Sequence, residues 1–200
     1  MQVAVVKYNA GNIFSVMNAL RRLGVEPVLT DDAAQLRNAD RVIFPGQGEA
    51  STAMSYLRSH GLDNVIRSLT QPVLGICIGQ QLLCRHSEEG NVECLGVFDA
   101  EVKRFQPRRH EEKVPCMGWN SLDVRDTADG VFAGLGDSPY VYFVHSYYVP
   151  LCEHTAAVAD YILPYSAALH KDNFYACQFH PEKSGTVGER IIRNFLEIKS

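Results

Sequence analysis

Cys77 stands where a strand-like apolar run gives way to a helix-like one, in Leu74-Gly75-Ile76-Cys77-Ile78-Gly79-Gln80-Gln81-Leu82-Leu83. Glycines two residues to either side, Gly75 and Gly79, leave room for a sharp strand-to-helix turn. This G-x-C-x-G pattern is the sulfur counterpart of the G-x-S-x-G nucleophile elbow. Such a turn exposes the sulfur at the carboxyl edge of a sheet, where open α/β folds bind their ligands. It also sets Cys77 at a helix N-terminus, whose partial positive charge suits an anionic sulfur. A core cysteine in a tight turn leaves the same trace, so the elbow needs a base before it counts as chemistry.

The end of the chain supplies one. Gln178-Phe179-His180-Pro181-Glu182 follows a strand-like run, which places His180 at a strand's carboxyl end. Pro181 biases His180 toward extended backbone. In an extended segment residues two apart point the same way, so Glu182 is expected to reach the imidazole and hold one tautomer. Pro45-Gly46-Gln47-Gly48 is a third candidate, again just after an apolar run. Its glycines let the backbone N–H groups of Gln47 and Gly48 approach a developing oxyanion, with the Ile78 N–H as the further donor. No phosphate-binding glycine pattern competes for that loop. The seven histidines show no H-x-H or H-E-x-x-H spacing, so no metal is expected.

These residues need a scaffold. Val3 to Val6, Pro27 to Leu29, Arg41 to Phe44 and Pro72 to Ile76 are short apolar runs separated by helical stretches. The first of those stretches presents Ile13, Met17, Leu20 and Gly24 on one face, widened by Phe14, Val16 and Leu23. The next spans about Ala50 to Leu69 with a break near Gly61. Near-continuous apolar strands alternating with helices predict a parallel sheet covered on both faces. Beyond residue 95, Val97 to Phe105, Tyr140 to Val144 and Phe174 to Phe179 predict further strands, and Gly185 to Lys199 an amphipathic helix. The fold class is therefore α/β: a mixed, mostly parallel central sheet with helices on both faces and an antiparallel extension in the second half. No repeat or linker divides residues 1–200, so a single domain is expected.

Composition narrows the function classes. The chain is 46% hydrophobic and 21% charged, with a net charge of −4, which excludes disorder and offers no broad field for nucleic acid or anionic membrane. No apolar run nears the roughly 18 residues that span a bilayer, and Met1 to Lys7 lacks the pattern of a signal peptide. The six cysteines show no C-x-x-C pair and are expected to be mostly reduced core thiols, which points to the cytoplasm.

Taken in order, the elbow, the glycine loop and Gln178-Phe179-His180-Pro181-Glu182 resemble the triad-type, class I glutamine amidotransferases over nearly the whole chain. The resemblance implies a flavodoxin-like fold and a thiol reaction without a cofactor. Cys77 would attack the side-chain amide of glutamine, His180 would protonate the departing ammonia, and Glu182 would orient His180. Matching positions imply that Gly46, Gln81, Ser146 and Tyr147 contact glutamine; Gln81 sits one helical turn beyond Cys77. Within the class, Tyr8-Asn9-Ala10-Gly11-Asn12, Met117-Gly118-Trp119-Asn120, the run from Tyr142 to Tyr147 and the run from Gln178 to Gly185 are similar to glutaminase subunits of histidine biosynthesis. That similarity implies a separate partner, a (β/α)8-barrel cyclase subunit that receives ammonia in a heterodimer. Met117 to Asn120 and Lys183 would then face the partner, although Trp119 also suits a core aromatic. Cys116, Gln47 and Gln80 depart from the residues frequent at those positions, histidine, valine and methionine. The rival readings are a glutaminase for another synthase, a cysteine peptidase or γ-glutamyl hydrolase, and a silent binding module.

Overall fold

The computed structural model describes residues 1–125 and 130–198. Its first half runs β1 (Val3–Val6), α1 (Ile13–Arg22), β2 (Val28–Thr30), α2 (Ala33–Asn38), β3 (Arg41–Phe44), α3 (Ala50–Ser59), α4 (Leu62–Arg67), β4 (Val73–Ile76) and α5 (Ile78–Leu83). Short strands follow: β5 (His86–Ser87), β6 (Val92–Glu93), β7 (Glu101–Arg104), β8 (Cys116–Ser121) and β9 (Asp123–Val124). Then come β10 (Tyr140–His145), β11 (Tyr147–Tyr148), β12 (Thr155–Tyr161), β13 (Leu163–Lys171), β14 (Phe174–Cys177) and the closing helix α6 (Gly185–Glu197). The expected helix end at Lys199 lies outside the described residues.

Eight strands make one sheet in the order β2-β1-β3-β4-β14-β13-β12-β9. The first five are mutually parallel, and the last three extend the sheet by antiparallel pairs. The parallel part follows the flavodoxin-like order, with the last strand of the chain taking the fifth place. Helices cover both faces. Val3, Val5, Ile43 and Leu74 pack with Leu20 of α1 and Ile192 and Phe195 of α6. Their neighbours Ala4, Val6, Val42 and Phe44 pack with Leu57 of α3 and Ile66 of α4. Burial on both sides is why these strands are continuous apolar runs.

Several local expectations need correction. Phe14 is 72% exposed; the buried stripe of α1 is Ile13, Val16, Met17, Ala19 and Leu20. Gly24 lies past the helix end at φ 80 and gives its N–H to the Arg21 carbonyl, so it terminates α1 instead of sharing its face. The strand expected over Val97 to Phe105 shrinks to β7, which pairs with β5 and β11 in a separate four-stranded sheet. The helix α2, unmarked by periodicity, is started by Asp32, whose side chain accepts from the Gln35 N–H at 2.8 Å. The long β12–β13 hairpin also escaped the sequence reading, because its alanine-rich strands carry little β propensity. Trp119 is exposed, not a core aromatic; with Met117 and Tyr140 it leaves large apolar surface uncovered on the β8–β10 pair. Among the described residues no helix is long and apolar enough to cross a membrane.

The elbow depends on close approach. A Cβ on Gly79 would overlap the Phe44 carbonyl oxygen, and one on Gly75 would lie 2.7 Å from Leu83 Cδ1. The first obstacle is backbone of β3, which side-chain movement cannot relieve. Gly79→Ala is expected to cost about 3 kcal/mol, read as a lower denaturant midpoint; an unchanged midpoint contradicts the tight packing of α5 on β3.

Candidate active site

Parallel pairing of β4 with β14 sets Ile76 opposite Cys177, so the residues after both strands emerge at one carboxyl edge. Cys77 leaves β4 at φ 54 and ψ −107 and is followed at once by α5. A non-glycine residue holds such a backbone only where its surroundings over-determine it. Here its N–H donates to the Cys177 carbonyl at 2.8 Å, and the two elbow glycines let α5 close behind it. On the other strand, His180 is extended, at φ −102 and ψ 94, and its N–H donates to the Tyr142 carbonyl at 2.9 Å.

His180 and Glu182 are both buried, and Nδ1 donates to Glu182 Oε1 at 2.8 Å. The route differs from the expected one. Pro181–Lys183 is a 3-10 turn, so Glu182 reaches the ring by curling back and not through strand alternation. With Nδ1 committed, Nε2 is the nitrogen left for chemistry, and it is buried without an aligned hydrogen-bond partner. Burial alone pulls the imidazole pKa down. Interactions with Cys77 and Glu182 outweigh that and raise it to about 9. The sulfur therefore acts on the ring without a linear hydrogen bond to it. Cys77 Sγ instead receives Gln178 Nε2 at 3.7 Å and leans toward the Val144 carbonyl at 4.0 Å.

A cleft of about 300 Å³ opens beside the sulfur, lined among others by Gln47, Gly48, Ile78, Gln81, Ser146 and Tyr147. Gly46 lies behind this wall: a Cβ there would overlap the Tyr8 hydroxyl and sit 2.8 Å from Ala10 Cβ. The Tyr8 hydroxyl donates to the Pro45 carbonyl, and burial pushes its pKa well up, with the charge of Cys77 adding to the rise. Ile78 opens α5, a position without an intrahelical acceptor for its N–H. The Gln47 N–H, by contrast, is engaged: it donates to the Gly11 carbonyl at 3.2 Å, while the Gly11 N–H donates to the Gln47 carbonyl at 2.7 Å.

Sequence reasoning missed four contributors. Gln178 links Cys77 to Gln81, whose Nε2 donates to Gln178 Oε1 at 2.9 Å. His145 is buried, and burial followed by the charge of His180 lowers its pKa to about 4. Its neutral ring donates Nδ1–H to the Tyr147 carbonyl at 2.7 Å and so braces the cleft wall. Glu89 is the one carboxylate on the described lining; burial raises its pKa. Asn12 donates to Glu182 Oε1 at 3.1 Å. Only long-range contacts give these residues their places, although the spacing of Gln178, two positions before His180, was a usable hint. All six cysteines are free. Burial pushes the thiols of Cys84, Cys94, Cys116 and Cys177 up, which makes them poor nucleophiles.

A family model described as glutamine amidotransferase class-I matches residues 4–198. Imidazole glycerol phosphate synthase subunit HisH of Bacteroides fragilis is 65% identical over 198 residues, covering 99% of this chain and 100% of that one. The same-named subunit of Bacteroides thetaiotaomicron is 63% identical over the same shares. A solved structure described as a glutamine amidotransferase superposes with a TM-score of 0.74 at 26% identity, covering 97% of each chain. The chain belongs to the class I glutamine amidotransferases and, within them, to the family of imidazole glycerol phosphate synthase HisH subunits.

The raised pKa of His180 also couples stability to pH. The folded value of about 9 lies above the ordinary 6.5. Stabilisation from the charged ring is therefore complete below about 6.5 and lost as pH rises through about 9. The stability advantage of the parent chain over His180→Gln should shrink across that window, as followed by urea denaturation. An advantage that grows with pH contradicts the His180–Glu182 pairing.

Proposed function

We propose that this chain is the glutaminase subunit of an imidazole glycerol phosphate synthase. It hydrolyses L-glutamine to glutamate and ammonia and passes the ammonia to a cyclase subunit. That partner uses it to form imidazole glycerol phosphate and aminoimidazole carboxamide ribotide in histidine biosynthesis. The observation that carries the reading is the meeting of Cys77 and His180 at one sheet edge, with His180 Nδ1 held 2.8 Å from Glu182 Oε1. The 65% identity to a HisH subunit over its full length supports the choice of synthase.

The mechanism follows from the geometry. His180 already holds the proton at Nε2 as the Cys77 sulfur attacks the glutamine side-chain carbonyl, and Glu182 stabilises the imidazolium. The imidazolium gives that proton to the leaving ammonia, and the thioester remains. Water then attacks the thioester with His180 as base, releasing glutamate. Ile78 N–H and the Gln47–Gly48 loop hold the oxyanion, where each donor contributes about 3 kcal/mol. Gln81, Ser146 and Tyr147 position the substrate from the cleft wall, with Gly46 giving the loop its close approach, and Glu89 faces its α-ammonium group. The reaction needs no metal or cofactor. The free thiols and the biosynthetic role support a cytoplasmic location.

Cys77→Ala should abolish glutamine-dependent synthesis by the complex and leave ammonia-dependent synthesis intact; loss of both contradicts a donor-only role. The tie between Gln47 and Gly11 gives a second expectation. With its N–H engaged, the loop lacks one oxyanion donor, so the isolated chain should hydrolyse glutamine slowly. Docking of the cyclase subunit on the exposed Met117–Trp119 face and Lys183 should speed it. Full turnover by the isolated chain in a glutaminase assay contradicts this resting state.

A further inference from the structure

The turn between β1 and α1 touches both halves of the site. Asn12 occupies the N-cap position of α1, where an asparagine side chain ordinarily accepts from a backbone N–H of the first turn. Here its backbone is left-handed, at φ 62 and ψ 17, and its side chain caps nothing. Its Nδ2 donates instead to Glu182 Oε1 at 3.1 Å, the same oxygen that accepts His180 Nδ1 at 2.8 Å. Ser15 Oγ donates to Asn12 Oδ1 at 2.5 Å, which fixes the end of the amide that faces the carboxylate. Among the described residues no other donor reaches Glu182, since Oε2 is buried without a partner. One residue earlier, Gly11 exchanges two backbone hydrogen bonds with Gln47 of the glycine loop.

We propose that Asn12 is a positioning residue for the triad. It holds the Glu182 carboxylate against His180 and ties that carboxylate to the loop through the adjoining Gly11–Gln47 bridge. The proposal rests on the glutaminase reading above. A carboxylate held by one donor rotates about its own axis; two donors converging on one oxygen set its plane. Asn12 does this without adding charge. The turn gives up a helix cap and adopts a backbone that asparagine enters at a cost, the kind of local conflict found where a site overrides propensity.

The test uses the complex with the cyclase subunit and compares Asn12→Gly and Asn12→Asp with the parent and with Cys77→Ala. It reads kcat and KM for glutamine across pH, ammonia-dependent synthesis and the thermal midpoint. Glycine keeps the left-handed backbone and removes the amide. Asn12→Gly should lower kcat on the order of tenfold with KM for glutamine and ammonia-dependent synthesis unchanged. In Asn12→Asp the new carboxyl donates to Glu182 only while protonated, and contact between the two groups raises its pKa. Activity relative to the parent should therefore be highest at low pH and fall as pH rises. Parental kcat in Asn12→Gly overturns the proposal, because Asn12 then serves only the turn. So does a pH-independent ratio for Asn12→Asp, which remains decisive if the glycine variant loses its fold, or a raised KM with kcat intact. A parent complex that fails to hydrolyse glutamine overturns the glutaminase reading and this proposal together, whereas an active parent matched by Asn12→Gly overturns this proposal alone.

Discussion

The parallel pairing of β14 with β4 is the constraint on which the site depends. Cys77 and His180 lie about a hundred residues apart in sequence, and nothing local brings them together. Four registered pairs, from Phe174↔Val73 to Cys177↔Ile76, do so. Closing so long a loop adds little more entropy than closing one half as long, since the cost grows only with the logarithm of length. It is offset by burying both strands between the α1–α6 layer and the α3–α4 layer. A one-residue slip of β14 would turn every side chain to the opposite face and carry His180 away from the sulfur. The Cys177 carbonyl pins the register at the point that matters, because it accepts the Cys77 N–H.

Given that register, burial does the electrostatic work. Glu182 and His180 are out of solvent, so their attraction is little screened. The cost of desolvating both is limited because each presents its charge to the other. His145 lies close by and stays neutral, since burial and the nearby His180 both disfavour its charge. One histidine thus carries the proton and the other braces the wall. The two residues share a type and differ in what faces them: Cys77 and a carboxylate for His180, a backbone carbonyl for His145.

The parts of this arrangement that were legible in sequence are the local ones. Continuous apolar runs marked β1, β3 and β4, and the flanking glycines marked the elbow at Cys77. The pairing of His180 with Glu182 was foreseen, yet for the wrong local reason: Pro181 opens a 3-10 turn, which two-residue alternation does not describe. Phe14 was misplaced because apolar type alone does not distinguish a buried stripe from an exposed flank of the same helix. The β12–β13 hairpin was silent because alanine and a proline after Ile162 outweigh its few β-branched residues. The roles of Gln178, Glu89 and Asn12 were not legible for a different reason, beyond the hint in the spacing of Gln178. Their side chains acquire meaning only from contacts across β14, α3 and the 3-10 turn, and residue type carries no record of such neighbours.

The Gly11–Gln47 bridge sets the scale of any activation. A backbone hydrogen bond contributes about 0.5–1.5 kcal/mol net, so releasing both members of the bridge costs about 1–3 kcal/mol. With 1.4 kcal/mol equal to a factor of ten, that corresponds to between about five- and a hundredfold in the population of a loop with its N–H free. In the proposed mechanism the return is one oxyanion donor, about 3 kcal/mol in the transition state, which matches or exceeds the outlay. The balance is close enough that a partner needs only modest binding energy to tip it. In that proposal Gly46 allows the swing, because a peptide rotation there passes through backbone angles that other residues resist. The glycine that lets the loop sit against Tyr8 and Ala10 is then the same residue that lets it leave.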